Sequence, residues 1–475
     1  MKTLEIQSFC DRIWENEIIP ELIDYIRIPN KSPVFDPDWQ KHGYMDKVVE
    51  QFVSWIQQQN INDVELEVVR LPGRTPLIYL EIAGQGNCEE TVLLYGHLDK
   101  QPEMSGWRDG LGPWEPVLQD DKLYGRGGAD DGYALFASLT AIKSLQQENI
   151  PHARCVVIIE ACEESGSYDL PFYIDHLSDR IGTPELIICL DSGCGNYDQL
   201  WSTTSLRGLI GGTLKVGVLN EGIHSGDASG IVPSSFRIIR QLLDRLEDST
   251  TGQILDDAFQ VDIPTKRLEQ AQRAAEMMGD DVFNRFPMKE AMQAMNSEAV
   301  ELILNRSWRP ALSYIGIDGV PNIESAGNVL RPSTSIKLSI RLPPTCNAEQ
   351  ASKKLKEILV SNPPYGAEVN FTPDWAASGW MAPEVEPWLE QAIDDASNNF
   401  FKKPAVHMGE GWSIPFMGML GEKFPDAQFL ITGVLGPGSN AHGPNEFLHI
   451  PTAKKLTCCV ASVIAKHYEN KLHCN

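Results

Sequence analysis

His97 and Asp99 stand two residues apart, directly after an apolar run at residues 91–96 (TVLLYG). Glu163 and Glu164 follow a second run, residues 155–161 (CVVIIEA), and Asp191 closes a third, residues 185–190 (ELIICL). His442 lies in a glycine-rich stretch beyond a fourth, residues 429–434 (FLITGV), and Asp130 sits in the segment GRGGADDG. Two imidazoles with three carboxylates make a mixed nitrogen and oxygen donor set that suits zinc or manganese and is poor for copper(I). One carboxylate shared between two ions would hold them roughly 3.5–4 Å apart, the geometry of two-metal hydrolysis. The adjacent Glu163 and Glu164 can divide the work, one coordinating while the other takes a proton from water. Asp99 is placed to accept the remaining imidazole N–H of His97, which fixes its tautomer and raises its basicity. Each of these residues alone could be a solvated or hydrogen-bonded side chain. Their joint placement after four apolar runs points to a metal site.

To converge, these residues need strands that end together. The four runs are nearly continuous in Val, Ile and Leu, the pattern of strands buried on both faces of a mainly parallel sheet. Helical stretches lie between them, notably residues 133–145 and 171–177, and the strand–helix–strand rhythm predicts a doubly wound α/β unit. Ligands in such sheets bind outside the carboxyl ends of the strands, which is where the ionisable residues fall. After about Leu206 the pattern changes. Residues 212–218 and 335–342 alternate like half-exposed strands, 234–247 and 348–360 read as helices, and 367–371 as a further strand. The expectation is an α+β (ferredoxin-like) domain over residues 206–378, inserted into a catalytic domain formed by residues 1–205 and 379–475. Between its strands, residues 268–308 are rich in Met, Glu and Ala and read as helices.

Composition narrows the partners. A formal net charge of -25 over 475 residues opposes nucleic-acid binding, because a phosphate backbone would be repelled. No stretch approaches the roughly 20 apolar residues of a membrane span. The first residues carry Glu and Asp throughout and read as an amphipathic helix rather than a signal peptide. Cys155, Cys162, Cys189, Cys458 and Cys459 lie in apolar runs, and no CxxC pair is present, so reduced buried thiols and a cytoplasmic location are expected.

Six segments appear in an order that resembles the M20 metallopeptidases, nearest the carnosinase-like, cytosolic nonspecific dipeptidase branch. They are GHLDKQP from Gly96, YGRGGADDG from Tyr124, ACEESGS from Ala161, LDSG from Leu190, GIHSGDASG from Gly222 and AHGPNE from Ala441. The resemblance implies that His97 and Asp191 hold one metal ion, Glu164 and His442 a second, and that Asp130 bridges them. Glu163 would be the general base and Asp99 the orienting carboxylate. His224 would reach the active site of a partner subunit to stabilise the oxyanion, which implies a homodimer and gives the inserted domain a lid and dimerisation role. Arg341 would grip the substrate carboxylate, with Asn328 and Ser413 helping to bind substrate. Three departures stand out: Gly132 and Tyr133 replace the lysine and glycine usual after two aspartates, Trp412 enters a normally small segment and an arginine before it is lost, and Ser439 and Asn440 replace acidic residues. The leading expectation is a dipeptidase with a small peptide as substrate. An N-acyl amino acid deacylase is the alternative, with Glu410 as a candidate anchor for a free amine that would separate the two. A silent binding protein is a third reading, opposed by the presence of every proposed ligand and of Glu163.

Overall fold

The computed structural model describes residues 2–85 and 90–472. The four apolar runs become neighbouring strands of one six-stranded sheet, in the order Val64–Val69, Leu77–Ile82, Arg154–Glu160, Thr91–His97, Pro184–Cys189 and Gln428–Ile431. The last four are parallel to one another. The first two are antiparallel to each other, and the second is antiparallel to its neighbour in the sheet. The sheet is therefore mixed at one edge, because a direct short connection can join only antiparallel strands.

Successive side chains of the parallel strands enter different cores. Val92, Leu94, Val157 and Ile159 pack with the helices Tyr133–Gln147 and Ile450–Leu472, whereas Leu93, Tyr95, Val156 and Ile158 pack with Leu170–His176 and Pro415–Lys423. Each such side chain contributes about 1.5–3 kcal/mol when fully buried. Thr91–His97 has Arg154–Glu160 on one side and Pro184–Cys189 on the other. The chain thus leaves this central strand in both directions, and a crevice opens at the carboxyl ends where the connections diverge.

A second sheet has four antiparallel strands in the order Ala311–Asp318, Ser333–Leu342, Gly208–Gly217 and Glu368–Ala377. Helices Ser235–Leu243 and Ala348–Val360 cover one face, giving the strand–helix–strand–strand–helix–strand order of a ferredoxin-like unit. Along Ser333–Leu342 burial alternates residue by residue, with Ile336, Leu338 and Ile340 in the core and Arg341 on the opposite face.

Two features differ from the sequence reading. Residues 265–308 form helices at Thr265–Met278, Asp281–Asn284 and Ala299–Ser307, but residues 285–298 form none. They are mostly exposed and include Pro287, so no apolar face is buried to sustain a helix. A three-stranded sheet also places Trp201–Leu206 between Val406–Glu410 and Trp380–Met381. Its central strand, WSTTSL, is too polar to announce itself as buried, yet every residue in it is. Among the described residues no helix is long and apolar enough to cross a membrane.

Candidate metal centre

His97 is the last residue of the central strand, Glu163 opens the turn after its neighbour on one side, and Asp191 follows its neighbour on the other. His97 Nε2 lies 3.5 Å from Asp130 Oδ1 and 3.8 Å from Asp191 Oδ2. Across Asp130, Oδ2 lies 3.1 Å from His442 Nε2, which is 3.4 Å from Glu164 Oε2. His97, Asp130 and Asp191 offer ligand atoms within 4.8 Å of one another, and so do Asp130, Glu164 and His442. Asp130 belongs to both groups and turns one oxygen to each.

The donor chemistry fits cations. His97 Nδ1 lies 3.1 Å from the main-chain carbonyl of Asp99, so the proton belongs on Nδ1. That leaves the Nε2 lone pair facing carboxylates, buried and without a hydrogen-bond partner. Burial pushes the Glu164 carboxyl up to about 8, with the charge of Asp130 adding to it, and pushes Asp191 up to about 6. Burial opposes charge on the imidazoles, yet the surrounding carboxylates raise His97 well above its ordinary range and His442 to about 10. A cluster that can settle only by taking up protons is short of positive charge, and divalent ions supply it.

The His97 Nδ1–H, expected to meet the Asp99 carboxylate, lies nearer the Asp99 main-chain carbonyl. Asp99 Oδ1 is 3.5 Å from His97 Nδ1, a longer approach than the carbonyl makes. The two carboxylate oxygens accept the backbone N–H groups of Glu163 at 3.1 Å and Glu164 at 3.0 Å. The first N–H groups of the Glu163–Ser165 turn lack intrahelical partners, and a carboxylate satisfies them. Asp99 therefore fixes the turn that presents both glutamates. Gln101 Nε2 donates to Glu164 Oε2 at 2.5 Å and holds that side chain in place.

Asp130, Glu163, Asp191 and His442 line a cavity of about 850 Å³ together with Arg341, Trp412 and Ser413. Arg341 Nη1 donates to Ser413 Oγ at 3.0 Å, and that hydroxyl donates to the carbonyl of Arg207. His224 and Asn328 are not brought to this cavity within the chain. They lie on an exposed ribbon in which His224 pairs with Val329, and Ser225 N donates to the Asn328 carbonyl at 2.9 Å. Glu410 is also not free. It is 2% exposed and pairs with Arg306 at 2.6 Å, which commits it to a buried ion pair instead of a substrate amine.

The three departures have local explanations. Tyr133 donates its hydroxyl to the carbonyl of Leu190, beside Asp191. A Cβ on Gly132 would stand 2.2 Å from Tyr25 Cε1, so only glycine admits that ring. The Trp412 indole packs on Gly193, where a Cβ would stand 2.4 Å from Cζ2, and it forms part of the cavity wall. Ser439 donates to the carbonyl of Phe447 at 3.1 Å and braces the loop of His442.

Sequence reading missed the clamp on that loop. Arg126 is 1% exposed; Nη1 meets Glu446 Oε2 at 2.6 Å, and Nη2 donates to the carbonyls of His442 at 3.2 Å and Gly443 at 2.8 Å. Glu446 also accepts the N–H of Gly127 at 2.9 Å. The pair ties the Asp130 turn to the His442 loop. Both residues lay inside quoted motifs, but neither stands at a strand end, the signal that singled out the ligands.

The family model described as peptidase family M20/M25/M40 matches residues 93–466. Among curated proteins, the cysteinylglycine-S-conjugate dipeptidase of Corynebacterium striatum is 26% identical over 376 residues, 77% of this chain and 79% of that protein. The Beta-Ala-His dipeptidase of Homo sapiens is 27% identical over 299 residues, 60% of this chain and 56% of its own, so the match spans little more than half of that relative. The solved structure of the di-peptidase Dug1p from Saccharomyces cerevisiae superposes with a TM-score of 0.78 at 20% identity, covering 98% of this chain and 99% of that one. This last likeness is one of fold.

Proposed function

The chain belongs to peptidase family M20/M25/M40, and on that premise we propose that it is a two-metal dipeptidase. The observation that carries the reading is Asp130, whose two oxygens face two histidines inside a cavity that Glu163 also lines. His97 and Asp191 would hold one ion and Glu164 and His442 the other, with Asp130 bridging. Zn²⁺ or Mn²⁺ bound there would supply a Lewis acid for the scissile carbonyl and acidify water. Glu163 takes the proton of the attacking water and returns it to the departing amine as the carbon–nitrogen bond breaks. Arg341, steadied by Ser413, grips the substrate carboxylate, where a planar guanidinium can pair at two points. The ferredoxin-like layer, which carries Arg341, would act as the lid over the cavity. A cytoplasmic location belongs to the same reading and rests on the burial of all eight described cysteines, none of them in a disulfide.

A second reading, an N-acyl amino acid deacylase, gains support from Glu410, because its pairing with Arg306 leaves that position unable to anchor a free amine. The decisive test uses protein stripped of metal and refilled with Zn²⁺ or Mn²⁺, given dipeptides beside the matching N-acetyl amino acids. We expect metal-restored cleavage of dipeptides only. Cleavage of the acetylated compounds alone makes the chain a deacylase, and no turnover with either ion removes both readings.

His224 and Asn328 fit the same proposal as residues donated to a partner's site in a homodimer. The edge strand Ala311–Asp318 supports this, since it exposes Tyr314, Ile315 and Ile317 beside unpaired backbone groups. A sedimenting mass of two chains is expected at micromolar concentration. His224→Ala should lower kcat by about 10²-fold, the usual effect of losing an oxyanion donor, with mass and metal content unchanged. A normal rate in that variant, or a sedimenting mass of one chain in the wild type, would take the ribbon out of catalysis.

A further inference from the structure

The cavity that the carboxylates line also has cationic residues in its wall. Arg108, Lys122, Arg285 and Arg341 all line it, although the chain as a whole carries a net charge of -25. None of these four has an acidic partner within 4.0 Å among the described residues. Their positive charge is therefore not balanced locally by direct ion pairs. Divalent ions held by the carboxylates would balance them, so these four cations would remain in excess.

Arg285 is the most constrained of them. It follows the short helix Asp281–Asn284, and its Nη1 is buried with no hydrogen-bond partner among the described residues. The nearby carboxylate, Glu410, is already taken by Arg306. Arg306 itself adds like charge beside Arg285. A half-buried guanidinium that lines a cavity and has no acidic partner is placed to receive an anion on its remaining donors. Arg341 already serves one carboxylate in the proposed function, so Arg285 would serve another.

We propose that the substrate carries a second anionic group, the side-chain carboxylate of an acidic residue, and that Arg285 is the specificity-determining residue that binds it. This rests on the dipeptidase reading. Lys122 and Arg108, which also line the cavity, strengthen its field and draw such substrates in. Dipeptides with a glutamate then bind better than their glutamine counterparts, which have the same shape without the charge.

The test compares Ala-Glu with Ala-Gln, and Glu-Ala with Gln-Ala, on the full-length chain refilled with Zn²⁺ or Mn²⁺. In at least one pair kcat/KM should favour the acid by about tenfold or more, chiefly through KM, the range expected for a charge-assisted hydrogen bond. Arg285→Gln should abolish the preference by lowering kcat/KM for the acid far more than for the amide, and Arg285→Lys should keep part of it. Equal rates for acid and amide in the wild type, or a preference that survives Arg285→Gln, overturns the proposal. If no dipeptide is cleaved, the dipeptidase reading has failed, and titration calorimetry with glutarate and its monoamide decides the point separately. Tighter binding of glutarate that Arg285→Gln removes supports the anion site, and equal binding of the two overturns it.

Discussion

Glu163→Gln keeps both metal ions and loses turnover by about 10³-fold, within the range that a positioned general base supplies. Glu163 lines the cavity, and its backbone N–H is pinned by Asp99 at 3.1 Å, so the amide should occupy the same place as the acid. What it loses is a basic oxygen. Burial raises the Glu163 carboxyl well above its ordinary value, which makes it a better proton acceptor than a solvated glutamate. Glu164→Gln is the informative companion, because Glu164 faces His442 at 3.4 Å and should be needed for metal. Kinetics alongside elemental analysis of the two variants separates the roles. Loss of metal from Glu163→Gln, with metal retained in Glu164→Gln, would mean that the assignment is reversed.

Asp130→Ala releases both ions, where Asp191→Ala releases one. The difference follows from the two oxygens of Asp130, which lie 3.5 Å from His97 Nε2 and 3.1 Å from His442 Nε2. Changing a residue that only supports a ligand usually weakens metal binding by about 10–100-fold. Removing a ligand common to both groups should exceed that at each position, with activity falling to background. Metal-to-protein ratios after dialysis, measured for both variants, provide the check. Retention of one tightly held ion in Asp130→Ala would show that the groups are independent and that Asp130 does not bridge.

Much of this site was legible because of a single physical regularity. Apolar runs long enough for a strand and buried on both faces must sit in a covered parallel sheet, and such sheets bind ligands at their carboxyl ends. His97, Glu163, Glu164 and Asp191 could be placed that way without any contact being known. The edge hairpin was not identified, and WSTTSL was too polar to mark as a buried strand. Arg126 and Glu446 escaped because their role depends on meeting each other across the fold. Glu410 was misjudged for the same reason, since its partner Arg306 stands 104 residues away. Arg285 fell in a stretch read simply as helical, where nothing local hinted that a guanidinium would face the cavity.

The Arg126 clamp also sets a schedule. It joins residues 320 positions apart, and the strand Gln428–Ile431 must already lie against Pro184–Cys189 for the His442 loop to reach it. During synthesis the amino-terminal segments emerge first and fold as they can. A nascent chain can thus form the His97, Asp130 and Asp191 side of the centre long before His442 leaves the ribosome. Of the second group, Asp130 and Glu164 precede Asp191 in the chain and only His442 comes late, so that group cannot close until the strand Gln428–Ile431 and the loop after it have been made.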